Sequence, residues 1–240
     1  METLFILLWF ESPLQSWGYD SKFGRRDTLD FPTKSGVLGL VLCALGASGE
    51  QQKLLARFAG LRQTVISFRY GDEKTAEPKL PFLHDFQMIG SGYRENDEWQ
   101  TLLIPKKSDG SKPVGGGTKL THRYYLQDAV FAVLLEVPAD LVEQIAHALQ
   151  HPAYDIYLGR KCCVPSEFVY QGSFDTLEAT EAAALHKAMK QEGRKLYEEF
   201  RVIDGDFEEG DSFTLTDVPV QFGKQKKYHD RRVTKIQKGL

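Results

Sequence analysis

The chain has 240 residues, of which 42% are hydrophobic, 26% charged and 12% aromatic, values that exclude a disordered chain and a membrane-spanning bundle. A chain of this length buries roughly 70% of its unfolded surface, so its core needs no metal or disulfide staple. The formal net charge of −3 hides a segregation: residues 22–34, 106–123 and 224–238 together carry +12, and the remaining 194 carry −15. That pattern reads either as polyanion contact on an acidic body or as three solvated basic loops.

Residues 4–10 are a continuous apolar run and are read as a buried strand. Seven residues fall far short of the ~18 that suggest a membrane span, and Glu2 and Glu11 flank the run where a signal peptide has a basic start. No membrane partner is expected, and the cytoplasm is the expected location. Residues 12–34, rich in Gly, Pro, Asp and Ser, read as loop. Ser35 is the expected cap of a helix that Val37, Leu38, Leu40, Val41, Leu42, Ala44 and Leu45 make apolar almost all round, with Gly46 as its stop. Residues 50–59 read as an amphipathic helix and 64–70 as a strand.

Periodicity is lost over residues 71–123, and so long a stretch is expected to be functional or to project from the domain. Beyond it, 124–137 reads as a strand, 139–150 as a helix after Pro138, and 154–158 as a short strand running into Gly159, Arg160 and Lys161. The order predicts an α+β, ferredoxin-like (RRM-like) βαββαβ domain over residues 1–165, with an insertion over about 78–122 between its central strands. Residues 166–240 are expected to form a C-terminal extension, helical over 177–191 and with strands over 196–203, 212–216 and 228–237.

Standard catalytic and nucleotide-binding motifs are absent from the sequence. Cys43, Cys162 and Cys163 have neither zinc-site spacing nor the pattern of a disulfide framework, which suits a reducing compartment. Gly115, Gly116 and Gly117, between Lys112 and Lys119, form either a flexible tip or a phosphate-contacting loop. The segment from Phe31 to Gly36 precedes a helix, whose N-terminal N–H groups attract anions. Thr33 and Ser35 add hydroxyls, Lys34 a charge, and Gly36 room for a close approach; an ordinary cap is the other reading. Among the histidines, His122 is flanked by Lys119, Arg123, Tyr124 and Tyr125, and His84 has Asp85 beside it to orient it.

Four segments together carry a resemblance. They are Pro13-Leu14-Gln15-Ser16-Trp17-Gly18, the run from Arg25 to Leu40, His122-Arg123-Tyr124-Tyr125-Leu126-Gln127-Asp128-Ala129, and Tyr157-Leu158-Gly159-Arg160-Lys161-Cys162-Cys163. Their order and spacing resemble the CasD subunit family of the type I-E CRISPR surveillance complex, Cascade, over about residues 3–170. The resemblance implies a non-catalytic, cofactor-free prokaryotic protein. Such a protein holds the five-prime handle of CRISPR RNA, caps the filament of backbone subunits and meets the large subunit. It reaches target DNA only through the RNA–DNA heteroduplex, in antiviral defence. The insertion becomes a thumb that wedges against the RNA spacer. Matching positions make Gln15, Trp17, Arg25, Arg26, Thr33, Lys34, Ser35 and Gly36 candidates for RNA contact, with Lys119, His122, Arg123, Arg160 and Lys161 as further ones. Two departures stand out: Lys161-Cys162-Cys163-Val164 replaces the family's Arg-Ser-Cys-Pro, and interleaved RNA-recognition aromatics are missing. The alternative is a metal-independent endoribonuclease of the type I-C kind, with Tyr124 or Tyr125, Lys119 and His122 as its chemistry.

Overall fold

The computed structural model describes residues 2–19, 21, 24–71, 80–89, 96–103, 106–111, 119–190 and 195–238. Strand β1 (Thr3–Gln15) and strand β5 (Lys119–Pro138) pair antiparallel along twelve positions, from Thr3 opposite Pro138 to Gln15 opposite Leu126. Strand β3 (Gln63–Tyr70) flanks β5 on its other side, and β6 (Tyr170–Phe174) flanks β1. The sheet continues from β3 through β7 (Leu196–Asp204) and β9 (Lys227–Gln237) to β8 (Asp211–Gln221), giving the order β6-β1-β5-β3-β7-β9-β8.

Continuous apolar strands are expected where both faces of a sheet are covered. Here Ile6, Leu8 and Phe10 of β1, with Phe131, Val133, Leu135 and Val137 of β5, face one core, which they share with α1 (Lys34–Ala44), α2 (Gln52–Ala56) and α4 (Val142–Gln150). Leu7 and Trp9, with Val130, Ala132 and Leu134, face a second core closed by α5 (Leu177–Met189). Helix α5 is capped by Thr176, whose hydroxyl accepts from the Ala179 N–H at 3.1 Å. It approaches the sheet through Thr180, Ala184 and Ala188, small enough to seat it against Trp9 and Phe68, whose rings stack at 5.4 Å. No described helix is long and apolar enough to cross a membrane.

Several expectations shift. β1 runs five residues past Phe10, into the segment read as loop. Thr33, not Ser35, caps α1, because its hydroxyl accepts from the Gly36 N–H at 3.2 Å. Residues 154–158 are not a strand: Ala153 donates to Ala44 O, Ser16 to Leu158 O and Leu158 to Cys163 O, bonds to loops and a helix end rather than to a ladder. The strand beside β1 is β6, further along the chain. The insertion holds β4 (Leu83–Ile89), paired along β5, and a short helix α3 (Glu98–Leu103).

The start of α1 is tied to the C-terminal strands by buried charge. Asp217 of β8 accepts the Lys34 backbone N–H at 2.7 Å and holds the Arg231 guanidinium of β9 through two bonds, at 2.7 and 2.9 Å. Arg231 also donates to Asp204, which accepts the Gln63 N–H at 3.1 Å. Burial alone would lower the Arg231 pKa, but the two carboxylates raise it and keep the guanidinium charged. Removing one member of such a cluster strands the others without partners. We expect Asp217→Ala to lower the unfolding free energy by about 3–5 kcal/mol in urea titration. Asp206→Ala, which breaks the exposed pair with Arg232, should leave the urea midpoint almost unchanged.

Candidate nucleic-acid interface

Strand β5 is long enough to serve two structures. Its second half lies in the main sheet, while its first half leaves the core and pairs with β4 antiparallel, from Leu83 opposite Tyr125 to Ile89 opposite Lys119. The two-residue β2 (Arg25–Arg26) lies parallel on the other side, Arg25 opposite His122 and Arg26 opposite Arg123. Between the halves Asp128 adopts φ 48°, a left-handed conformation that Asp tolerates better than most residues.

Because side chains alternate along a strand, His122 and Tyr124 share one face with His84 and Phe86 of β4. The His84 ring stacks on Tyr124 at 4.6 Å, and the Arg25 guanidinium lies 5.0 Å from the centre of the same ring. His84 Nε2 and His122 Nδ1 are 2.9 Å apart, so one of the two carries the shared proton. Asp85 points elsewhere: it is opposite Arg123 and accepts from Gln87 at 2.9 Å, so it does not orient His84.

The turn at 158–163 closes the site. Gly159 has φ 104°, and a Cβ there would lie 1.8 Å from Ser16 O, so only glycine permits this approach. Arg160 lies 4.6 Å from the centre of the Tyr125 ring and donates to Arg26 O at 3.0 Å. Arg25, Arg26, Lys119 and Lys161 are exposed, and Arg123 and Arg160 half-buried. Nearby Asp27 pairs with Arg25 at 2.9 Å. A cation flattened on an aromatic ring loses rotamer freedom beforehand, and those N–H groups of Arg25 and Arg160 not taken by Asp27 or by main-chain carbonyls remain for phosphate oxygens.

The other candidates face inward. Gln15 is fully buried, donating to Phe10 O at 3.1 Å and Ala129 O at 2.6 Å and accepting from Trp17 Nε1 at 3.1 Å. Trp17 stacks on Phe10 at 5.2 Å. Gly36 makes room for Trp17 rather than for a ligand, since a Cβ there would meet that ring at 2.9 Å. Thr33 is buried as the α1 cap, and half-buried Ser35 has its hydroxyl 3.4 Å from it. Lys34 is 2% exposed; its ammonium donates to Leu61 O and to Ala59 O, and burial pushes its pKa below the ordinary lysine value. The helix N-terminus does hold an anion, but the anion is the protein's own Asp217. Part of the third basic segment is matched within the chain: Arg231 pairs with Asp204 and Asp217, Arg232 with Asp206, and Lys235 with Asp30. Lys112 and the three glycines at 115–117 lie outside the described residues.

Phe86 and the stacking role of Tyr124 are absent from the sequence-based candidates, and His84 appears among them only as an acid–base histidine. The available signal is the alternation His84, Phe86, Met88 within β4, opposite Tyr124, His122 and Leu120.

Residues 5–234 match the model of a family described as CRISPR-associated protein (Cas_Cas5). The chain is 28% identical over 172 residues to the CRISPR system Cascade subunit CasD of Escherichia coli (strain K12), covering 70% of each protein. Among solved structures it is similar to a chain of a CRISPR RNA-guided surveillance complex, with a TM-score of 0.68 and 24% identity over 97% of this chain and 89% of that one. It is also similar to a Cas protein crystal structure, with a TM-score of 0.56 and 28% identity over 98% and 94%. The likeness carried by the four sequence segments is thus borne out by the family match, and since that match spans almost all of its length, the chain belongs to the Cas5 family of CRISPR-associated proteins.

Proposed function

We propose that this protein is a non-catalytic subunit of a type I-E Cascade effector in the prokaryotic cytoplasm, holding the five-prime handle of CRISPR RNA at the junction of β2, β4, β5 and the 158–163 turn. In that role it caps the backbone filament and contributes to guided recognition of target DNA in antiviral defence. The observation that carries the reading is the junction at which Arg25 lies over the Tyr124 ring beside exposed Arg26, while Arg160, seated on the Tyr125 ring, reaches Arg26 O from the neighbouring turn that also bears exposed Lys161. Backbone phosphates suit such a surface, with individual bases held by stacking. A relative described as a Cascade subunit supports the same assignment.

The architecture supports further parts of the reading. The antiparallel order β6-β1-β5-β3, with α1 and α4 in the crossovers, supports reading this part as a ferredoxin-like domain and the later strands as its C-terminal extension. The thumb would be the insertion over about 78–122. Leu80, Phe82, Phe86, Met88, Trp99, Leu102 and Leu120 are exposed there, large apolar side chains of the kind a partner surface covers. A neighbouring subunit and the RNA would cover it.

The test is to incubate the purified chain with end-labelled repeat RNA in EDTA, on native and denaturing gels. Intact RNA that shifts only when the handle sequence is present is expected. A discrete product that disappears in His122→Ala would overturn the non-catalytic role. We expect Arg25→Ala with Arg26→Ala to weaken handle binding and to flatten the slope of log K against log salt by about 1.4, since each lost phosphate contact on a single strand removes about 0.7. Lys34→Met should leave that slope unchanged, and a slope that falls with it would contradict the inward placement. Trp99→Ser with Leu102→Ser should leave the monomer's melting temperature in place while weakening assembly with the backbone subunits roughly tenfold or more.

A further inference from the structure

The turn at 158–163 carries two thiols that the RNA-holding role does not use. Cys162 is exposed and its Sγ lies 3.6 Å from the Tyr125 hydroxyl, whereas Cys163 is fully buried against the main core. Their sulfurs are 4.0 Å apart. The backbone holds both in place: Leu158 donates to Cys163 O at 2.8 Å, Cys163 donates to Arg160 O at 2.8 Å, and Gly159 is wedged against Ser16.

Neighbouring cysteines are poorly built for a disulfide. Consecutive Cα atoms stand about 3.8 Å apart, below the roughly 4.4–6.8 Å that disulfides span, and closing the sulfurs to about 2.05 Å would distort the peptide between them. The same spacing suits a different bond. Two thiolates each about 2.3 Å from one cation, opened to an angle of about 120°, stand about 4.0 Å apart. The observed separation meets that geometry without movement of the turn.

The donor set narrows the ion. Among the described residues no group of three or more His, Cys, Asp or Glu side chains is placed to share a metal, so a four-coordinate zinc cage is not available. Hard cations prefer oxygen ligands, and thiolates select soft ones. We propose that Cys162 and Cys163 form a two-thiol site for a soft, low-coordinate cation of the copper(I) type, entered from the exposed Cys162 side, with solvent or a free thiol completing the coordination. Two thiol protons leave as the cation binds. Because thiols bind a metal as thiolates, binding strengthens as pH rises.

The experiment titrates the reduced full-length chain with copper(I) under anaerobic conditions against a chromophoric copper(I) chelator. One equivalent per chain is expected, with affinity higher at pH 8 than at pH 6. Cys162→Ser, isosteric at an exposed position and checked for an unchanged melting temperature, should lower that affinity at least 100-fold. Cys43→Ser should leave it unchanged. Wild-type chain that holds no copper(I), Cys162→Ser that binds as tightly as wild type, or loss of the site in Cys43→Ser would each overturn the proposal.

Discussion

Asp217 is 2% exposed and its carboxylate sits between the first turn of α1 and the Arg231 guanidinium. A buried carboxylate is tolerated only with partners, and here it has a backbone N–H, the positive end of a helix and a paired arginine. The contact joins residues 183 apart in sequence and clamps the C-terminal strands to the most specific sequence segment of the chain. Once that clamp is closed, Thr33, Lys34 and Gly36 have no freedom to meet a ligand. Lys34 turns beneath the helix to the carbonyls of residues 59 and 61, and Gly36 leaves the space that Trp17 fills.

That inward packing divides labour between two segments that look chemically alike. Residues 13–18 are held by the Gln15–Trp17 hydrogen bond and the Trp17 stack on Phe10, and they meet 31–36 where the Trp17 ring packs over Gly36. The intervening chain, held at Trp17 and Leu29 by a single bridge, is thereby presented outward as Arg25 and Arg26 along β5. The buried motif is therefore the mount, and the arginine pair is what it mounts. Second-core packing completes the arrangement, since α5 covers the sheet face that carries Trp9 and Phe68. In the proposed role, nucleic acid is left with the edge where β5 departs from the main sheet.

Net charge of −3 is compatible with a polyanion partner because the cations are sorted by position. Arg231, Arg232 and Lys235 of β9 are neutralised by Asp204, Asp206, Asp217 and Asp30, whereas the cations around Tyr124 and Tyr125 outnumber the nearby Asp27 and Asp85. A local excess of this kind gives binding that is salt-dependent and confined to one surface, without general stickiness.

The sequence by itself determined the main elements and the family. Apolar runs over 4–10 and 124–137 could only be buried strands, the all-round apolar stretch after Thr33 only a buried helix, and four motifs in order carried the likeness. The same likeness named Arg25, Arg26 and Arg160, and His122 stood out in addition for its basic and aromatic neighbours. What the sequence did not hold was direction. Lys34 and Arg25 are equivalent as charges in a basic loop, and nothing local says that one ends beneath a helix and the other on a tyrosine ring. That choice belongs to contacts across 183 residues for Asp217, 134 for Arg160 and Arg26, and 38 for His84 and His122. Local pattern sets which faces must be buried; only tertiary packing decides which polar groups are buried with them, because each needs a partner that the chain supplies from far away.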